Sequence, residues 1–232
     1  MGKMKRTPKH AFNKRARELA LMRNPGVTWS LDMVGPFQKS IFGYIYSYTL
    51  ISDKLKIMRN YNAKSKGTFR DVAAWILTDI KDILNRSNVK EMHINLTEQC
   101  YSIRSDSAKE FLSDKNQTEF TEQGVRFTFS APYTPTSNPY IERAHLTVLG
   151  SMYCLLFHER APVTMWCMAL DLAVLIYNLM PHSALPDRKS PEEYSTGVLQ
   201  DFDFLNVFWN RAAIRIPKNQ RGKLQPRVQI GR

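Results

Sequence analysis

Three acidic residues stand where a folded chain could bring their carboxylates together. Asp32 lies in the apolar segment Ser-Leu-Asp-Met-Val, where an acid is costly unless its charge is satisfied. Asp106 follows a short segment expected to be a strand, and Glu142 lies in the expected first turn of a helix. Clustered carboxylates repel one another and need cations, for which oxygen-seeking Mg²⁺ or Mn²⁺ is the natural choice. Two such ions about 4 Å apart can activate an attacking oxygen and stabilise a leaving oxygen in phosphoryl transfer.

Each acid also has an ordinary structural explanation. Asp32 could accept backbone amides at a strand end, Asp106 could cap a turn, and Glu142 could favour the helix N-terminus through the helix dipole. The residue types alone therefore leave the catalytic role of any single acid open.

The elements needed to position these acids can be read from the hydrophobic pattern and the turn residues. The predicted strands are 29–37, 44–51, 55–61, 101–104 and 125–129, and the predicted helices are 66–84, 115–123, 138–158 and 162–179. The helix that carries Glu142 is predicted to start at Asn138-Pro139, because Asn is a favoured cap and Pro a favoured first residue. This order indicates an α/β domain with a central sheet of about five strands.

The basic residues are concentrated in two arms. The chain has 33 basic and 21 acidic residues, a net charge of +12. Residues 1–26 contain eight basic groups and one acid, and residues 211–232 contain seven basic groups and no acid. The 184 residues between them therefore carry 18 basic and 20 acidic groups, a net of −2. Such arms fit a polyanion, most simply nucleic acid, although solvated tails that only aid solubility have the same composition.

The composition is that of a folded globular domain. Hydrophobic residues make up 43% and charged residues 23% of the 232 positions, which is enough for one domain with a core, plus extensions. No apolar run reaches the ~18–20 residues that a membrane span needs. Cys100, Cys154 and Cys167 are too scattered for a disulfide framework or a zinc site.

The spacing of the acids, and the residues around them, resemble a known family. Between Asp106 and Glu142 lie 35 residues, which is the interval of the DDE signature of retroviral-type integrases. The similar segments are Trp29-Ser-Leu-Asp-Met-Val-Gly-Pro-Phe37, Arg104-Ser-Asp-Ser-Ala-Lys-Glu-Phe111 and Ser130-Ala-Pro-Tyr-Thr-Pro-Thr-Ser-Asn-Pro-Tyr-Ile-Glu-Arg143. Downstream, residues 162–166, 177–181, 190–193 and 205–208 resemble the continuation in copia-type elements. The resemblance thus covers about residues 29–227.

The resemblance to the integrase catalytic core of a copia-type LTR retrotransposon implies a ribonuclease H-like α/β fold, with a central five-stranded mixed sheet flanked by helices. It implies that Asp32, Asp106 and Glu142 bind a pair of Mg²⁺ or Mn²⁺ ions and catalyse DNA 3′-end processing and strand transfer. The implied partners are DNA, as element ends and target, and further copies of the chain, with no membrane and no small-molecule cofactor. The implied location is the nucleus, or a cytoplasmic virus-like particle before nuclear entry.

Three further residues near the acids are candidates for DNA contact by the same resemblance. These are Lys109, Asn138 and Arg143. Asn138 is explained equally well as the helix cap, Lys109 as a solvated surface residue, and Arg143 as the partner of a local acid.

We expect a basic N-terminal arm over residues 1–26, the catalytic core over 27–195, and a basic C-terminal extension over 196–232. The two His and two Cys of an integrase zinc domain have no counterpart here, so we expect a fragment of a larger polyprotein. The family's Asn-Gly after the second Asp is Ser107-Ala108, and its Gly after the loop Asn is Pro139. Two alternatives remain open, namely a non-catalytic DNA-binding relic of an integrase and a ribonuclease H-type nuclease. Activity of this chain without zinc and C-terminal domains is also left open.

Overall fold

The computed structural model of the chain describes residues 28–86, 101–105, 125–129, 139–158, 160–222 and 225–231. Its centre is a mixed sheet of five strands, β1 to β5. In chain order these are Thr28–Val34, Tyr46–Ser52, Met58–Ala63, Tyr101–Ser105 and Val125–Phe129. The strand order is β3-β2-β1-β4-β5, in which β1 to β3 form an antiparallel meander and β4 and β5 run parallel to β1. The carboxyl ends of β1, β4 and β5 therefore meet at one edge of the sheet.

Helix α1, Phe69–Arg86, covers one face of the sheet. Trp29 and Leu31 of β1 point to this face, and they share one buried cluster with Val72 and Ile76 of α1. Each such buried side chain contributes about 1.5–3 kcal/mol relative to exposure. Because side chains alternate along a strand, Asp32 points to the opposite face.

Two helices cover that opposite face, α2 (Pro139–His158) and α3 (Trp166–Leu179). Ile141 and Val148 of α2, Leu170 of α3, and Ile51 and Met58 of the sheet share the second buried cluster. The helix bearing Glu142 thus starts at Pro139, as the Asn-Pro pattern predicted, and packs on the face of the sheet that carries Asp32.

A short helix, α4, follows at Pro191–Thr196. The Ser190 hydroxyl accepts a hydrogen bond from the Glu193 backbone N–H at 3.1 Å, and Pro191 is the first helical residue. Gly197 ends the helix in the left-handed conformation. The sequence Ser-Pro-Glu-Glu therefore acts as a helix-start signal.

Several predicted bounds differ from the observed ones for local reasons. The first strand ends at Val34 rather than at residue 37, because Gly35 adopts φ +122°. The third starts at Met58 rather than at residue 55, because Lys56 takes φ 61° in the connecting turn. The helix predicted over 115–123 lies outside the described residues.

The C-terminal region holds a second, two-stranded antiparallel sheet that the hydrophobic pattern did not predict. Its strands are β6, Ala212–Arg215, and β7, Val228–Gly231. Within the described ranges, no helix combines the length and hydropathy needed to span a bilayer.

Candidate active site

Asp32 is held by β1 near the carboxyl edge of the sheet. It stands opposite Thr49 of β2, and its Oδ1 accepts the Met33 backbone N–H at 2.8 Å. The side chain keeps 34% of its surface exposed. A carboxylate that retains this much contact with solvent at a sheet edge can meet a cation or a substrate.

Glu142 lies in the first turn of α2 and is exposed. Its neighbours Ile141 and Ala144 are buried against the sheet, so packing fixes the helix while the acid stays at its solvent border. A carboxylate in the first turn is also stabilised by the positive end of the helix dipole.

His145 brings helix α2 into contact with Asp32. Its Nδ1 lies 3.5 Å from Asp32 Oδ2, and the residue is buried at 7% exposure. A protonated ring would form an ion pair at this distance, but burial lowers the pKa of His145 to about 4. At neutral pH the contact therefore joins a neutral imidazole to the Asp32 side chain.

The His145 contact sets the distance between the acids. Glu142 precedes His145 by three positions, and helix residues at that spacing have Cβ atoms about 5–6 Å apart on one face. Since His145 touches Asp32, the Cβ atom of Glu142 lies about one helical turn along α2 from this contact. The sequence analysis did not identify His145 as a residue of the site. Its signal was its position three residues after Glu142, beside the apolar face of the helix.

Asp106 lies outside the described residues, although β4 leads directly to it. The last β4 residue, Ser105, pairs with Leu31 of β1 in parallel register. Strand β4 thus ends beside the residue that precedes Asp32.

Of the predicted DNA contacts, Lys109 and Asn138 also lie outside the described residues. Arg143 is exposed on α2, next to Glu142. Among the described residues, no carboxylate forms an ion pair with Arg143. The described residues therefore do not support the pairing of Arg143 with a local acid.

A polar row that the sequence analysis missed continues from Asp32 across the sheet. Asp32 stands opposite Thr49, and Thr49 opposite Asn60. Asn60 and Asn62 of β3 donate to Asp171 Oδ1 of α3, at 2.5 and 3.0 Å. Burial raises the pKa of Asp171, and the two amide donors oppose that rise. These bonds tie α3 to the edge of the sheet.

The donor chemistry at this edge fits a hard divalent cation. Asp32 and Glu142 offer carboxylate oxygens, which Mg²⁺ and Mn²⁺ prefer, and both are accessible to solvent. Within the described ranges, no three His, Cys, Asp or Glu residues form a group that could hold a metal ion. Residue 106 lies outside those ranges. The two described acids by themselves do not make up such a group.

Two curated proteins are similar in sequence to the chain. The retrovirus-related Pol polyprotein from transposon TNT 1-94 of Nicotiana tabacum is 26% identical over 194 residues, or 83% of this chain. The retrovirus-related Pol polyprotein from transposon RE1 of Arabidopsis thaliana is 32% identical over 131 residues, or 53% of this chain. The chain spans only 14% and 9% of the lengths of these two relatives. No protein-family model matches it.

Solved structures resemble the chain in fold. A chain from the simian T-cell lymphotropic virus intasome in complex with PP2A regulatory subunit B56 gamma has a TM-score of 0.55 at 16% identity. That match covers 88% of this chain and 66% of the other. The catalytic core domain of BIV integrase has a TM-score of 0.47 at 16% identity, over 73% of this chain and 93% of that domain. The intasome match shows a shared α/β fold.

Proposed function

Because this chain is an integrase-core relative of the retrotransposon Pol polyproteins, we propose that it is a divalent-metal-dependent polynucleotidyl transferase. Its reactions are the processing of DNA 3′ ends and their transfer into target DNA. One observation carries the proposal: helix α2 meets Asp32 through the 3.5 Å contact with His145, three positions after Glu142. That contact supports the proposal because it brings the helix that carries Glu142 against the strand that carries Asp32.

The three acids have the same role in this proposal. Asp32, Asp106 and Glu142 would hold the ions, and in the sequence Asp106 directly follows Ser105, the β4 residue that pairs with Leu31 of β1. Bound ions would supply activation of the attacking oxygen and stabilisation of the leaving oxygen. His145 keeps the Asp32 carboxylate oriented, and because it is neutral it leaves the full negative charge of that carboxylate available to a cation.

The reaction exchanges one phosphodiester oxygen for another. In end processing, water attacks the phosphorus atom near the 3′ end and the 3′ oxygen of the retained strand leaves. In strand transfer, that 3′-hydroxyl attacks a target phosphodiester and displaces a 3′ oxygen of the target. The side chains position the DNA and form no covalent intermediate with it.

The wider setting is also part of the proposal. Element ends and target DNA are the substrates, and Arg143 beside Glu142 is a phosphate contact, with Lys109 and Asn138 as further candidates. Several copies of the chain assemble on DNA, a proposal supported by the similar fold of a chain from a viral intasome. The chain acts as part of a longer copia-type Pol polyprotein, in the nucleus or in a virus-like particle before nuclear entry.

The test is joining or nicking of a branched oligonucleotide with Mn²⁺. Asp32→Asn, Asp106→Asn and Glu142→Gln should each reduce the rate at least about 100-fold, because even residues that only support metal ligands contribute about 10–100-fold. The matched control is Asp82→Asn, an exposed acid on α1, on the other face of the sheet, which should retain full activity.

The outcomes separate the alternatives. Equal rates in wild type and Asp106→Asn would refute the catalytic proposal, and DNA binding without cleavage would indicate a non-catalytic relic. Cleavage of an RNA–DNA hybrid but not of DNA would indicate a ribonuclease H-type nuclease.

A further inference from the structure

The side of α2 that faces away from the sheet carries large apolar residues that are exposed. Leu146, Tyr153 and Phe157 have exposures of 77%, 48% and 68%. Together with Gly150 they recur at the spacing of a single stripe along a helix. The rings of Tyr153 and Phe157 stack with their centres 6.3 Å apart. We call Leu146, Gly150, Tyr153 and Phe157 the outer stripe.

The inner side of the same helix accounts for its packing within the chain. Ile141, Val148 and Met152 are buried in the cluster that joins α2 to α3 and the sheet. At about 3.6 residues per turn, these positions lie on the side of the helix opposite the outer stripe. Helix α2 therefore has two apolar sides, and the described part of the chain covers only the inner one.

No permanently charged residue interrupts the outer stripe. Residues 144–158 contain no Lys, Arg, Asp or Glu. Over this length the helix therefore offers no cations to a phosphate backbone and no acids to a basic peptide. Such a surface gains free energy by burial against another apolar surface. The chemistry of the outer stripe thus favours an apolar partner.

Gly150 lies in the middle of the outer stripe, where packing within the chain does not call for a glycine. A Cβ atom added there would meet nothing within 4 Å. In a helix interior, glycine is about 1 kcal/mol less favourable than alanine. What glycine provides in exchange is a surface that a second backbone can approach closely. The residue is therefore suited to the crossing point of two helices.

The outer stripe is complementary to a second copy of itself. Leu146 lies four residues before Gly150, and Tyr153 lies three residues after it. A second α2 laid antiparallel across the first would bring glycine to glycine, and Leu146 of each copy against Tyr153 of the other. Contacts of this kind close after two copies, because the same surface is used on both. The two helix dipoles would run in opposite directions, which is the favourable arrangement.

The exposed area of the outer stripe is that of a modest interface. At about 200 Å² for a large side chain when fully exposed, the three exposed fractions leave about 390 Å² uncovered in each copy. The largest apolar patch on a monomer is about 300–600 Å² and often functional. A pair would bury about 780 Å² from these side chains alone, and flanking residues bring the contact towards the about 1,200 Å² at which specific interfaces begin. We therefore expect a dissociation constant in the micromolar range.

We propose that the outer stripe is an interface between two copies of this chain, with the two α2 helices antiparallel and crossing at Gly150. The proposal deepens the assembly of several copies, and for that assembly it rests on the proposed function. Phe157 follows Gly150 by seven residues and Arg143 precedes it by seven. In the antiparallel pair, Phe157 of one copy would therefore lie beside Arg143 and Glu142 of the other. Each site would thus be bordered by a side chain of the second copy.

The test is sedimentation equilibrium of the full 232-residue chain at about 1–100 µM, without DNA or divalent metal. Wild type should pass from monomer to dimer across this range. Gly150→Leu should raise the dimer dissociation constant at least about tenfold, because the new side chain would hold the helices apart. The same variant should not lower the Tm of the monomer, since the side chain enters open space and leucine favours a helix more than glycine does. Leu146→Gln should weaken the dimer to a similar extent, because it removes an apolar contact twice in the symmetric pair.

The matched control is Trp75→Gln, which replaces an exposed apolar residue of α1, the helix on the other face of the sheet, and should leave the dimer dissociation constant unchanged. A dimer weakened as much by the control as by the stripe variants would overturn the proposal. A chain that stays monomeric up to about 100 µM would also overturn it, since the stripe would then serve a different protein. The assay needs no chemistry, so inactive protein that dimerises through the stripe would support the interface and refute only the transferase function. Active protein that stays monomeric would refute only the interface.

Discussion

Asn178 should be among the most sensitive positions of the fold, because it completes the hydrogen bonding of an edge strand. Its Oδ1 accepts the Met58 N–H at 2.8 Å, and its Nδ2 donates to the Met58 carbonyl at 2.9 Å. Met58 is fully buried and Asn178 nearly so. The side chain thus occupies the place of a further strand beside β3, and it fixes α3 to the sheet.

The magnitude follows from the groups that truncation would leave without partners. In Asn178→Ala the buried N–H of Met58 would lose its partner, which costs about 1–3 kcal/mol, whereas the Met58 carbonyl would keep the bond that Arg59 Nη1 donates at 3.0 Å and would lose only one of two hydrogen bonds, worth about 1 kcal/mol. We expect the free energy of unfolding to fall by about 2–4 kcal/mol, out of a total of about 5–15 kcal/mol for a domain. Asn178→Asp should lower the free energy of unfolding by a similar amount, because the aspartate presents an acceptor to the Met58 carbonyl and buries a charge.

The measurement is urea unfolding followed by tryptophan fluorescence. Asn85→Ala, which changes an exposed Asn of α1, is the matched control and should stay within about 0.5 kcal/mol of wild type. If Asn178→Ala unfolds within 1 kcal/mol of that control, about the worth of one ordinary hydrogen bond, then the clamp between α3 and β3 does not stabilise the fold as argued.

Three further predictions concern the site and its supports. His145 has its pKa lowered to about 4 by burial, so in metal-free protein the unfolded state takes up the proton first as pH falls below about 6.5. Stability should therefore decrease between pH 6.5 and 4, by about 3 kcal/mol at most, and urea unfolding of His145→Asn across this window should show a shallower fall; an unchanged fall would contradict a buried neutral ring. Ser190→Ala removes the bond from the Glu193 N–H and should cost about 1 kcal/mol, seen as a lower Tm, whereas Ser190→Asp should retain most of the stability. Gly35→Ala places a Cβ 2.7 Å from the Ile45 carbonyl oxygen at φ +122°. It should lower the free energy of unfolding in urea by about 1–3 kcal/mol. A variant as stable as wild type would show that the loop shifts without strain.

The sequence predicted those elements whose signals are local. The helix of Glu142 starts where Asn-Pro predicted, because proline has a suitable φ and lacks the N–H that a helix start cannot use. The strand at 125–129 has the predicted bounds. By contrast, Leu55 was assigned to a strand because it is apolar, yet it lies buried in a turn. Burial and strand geometry are separate properties that an apolar run does not distinguish.

The acids themselves could be selected from the sequence because their spacing and surrounding residues carry the resemblance. The chain could not reveal that His145 lies against Asp32, since 112 residues separate them and only the packing of α2 on the sheet brings them together. The proximity of Lys39 and Lys64 was hidden for a similar reason. Lys39 and Lys64 belong to different connections, and only the antiparallel pairing of β1, β2 and β3 places them around one glycine.

Local chemistry thus determined which residues could act and where the main helices and strands begin, because backbone conformation responds to neighbours a few positions away. The tertiary structure decided which side chains meet, which histidine is deprived of water, and which charges are gathered at one edge. Those properties depend on contacts between distant segments, and they arise only when the sheet and its covering helices exclude solvent from the core.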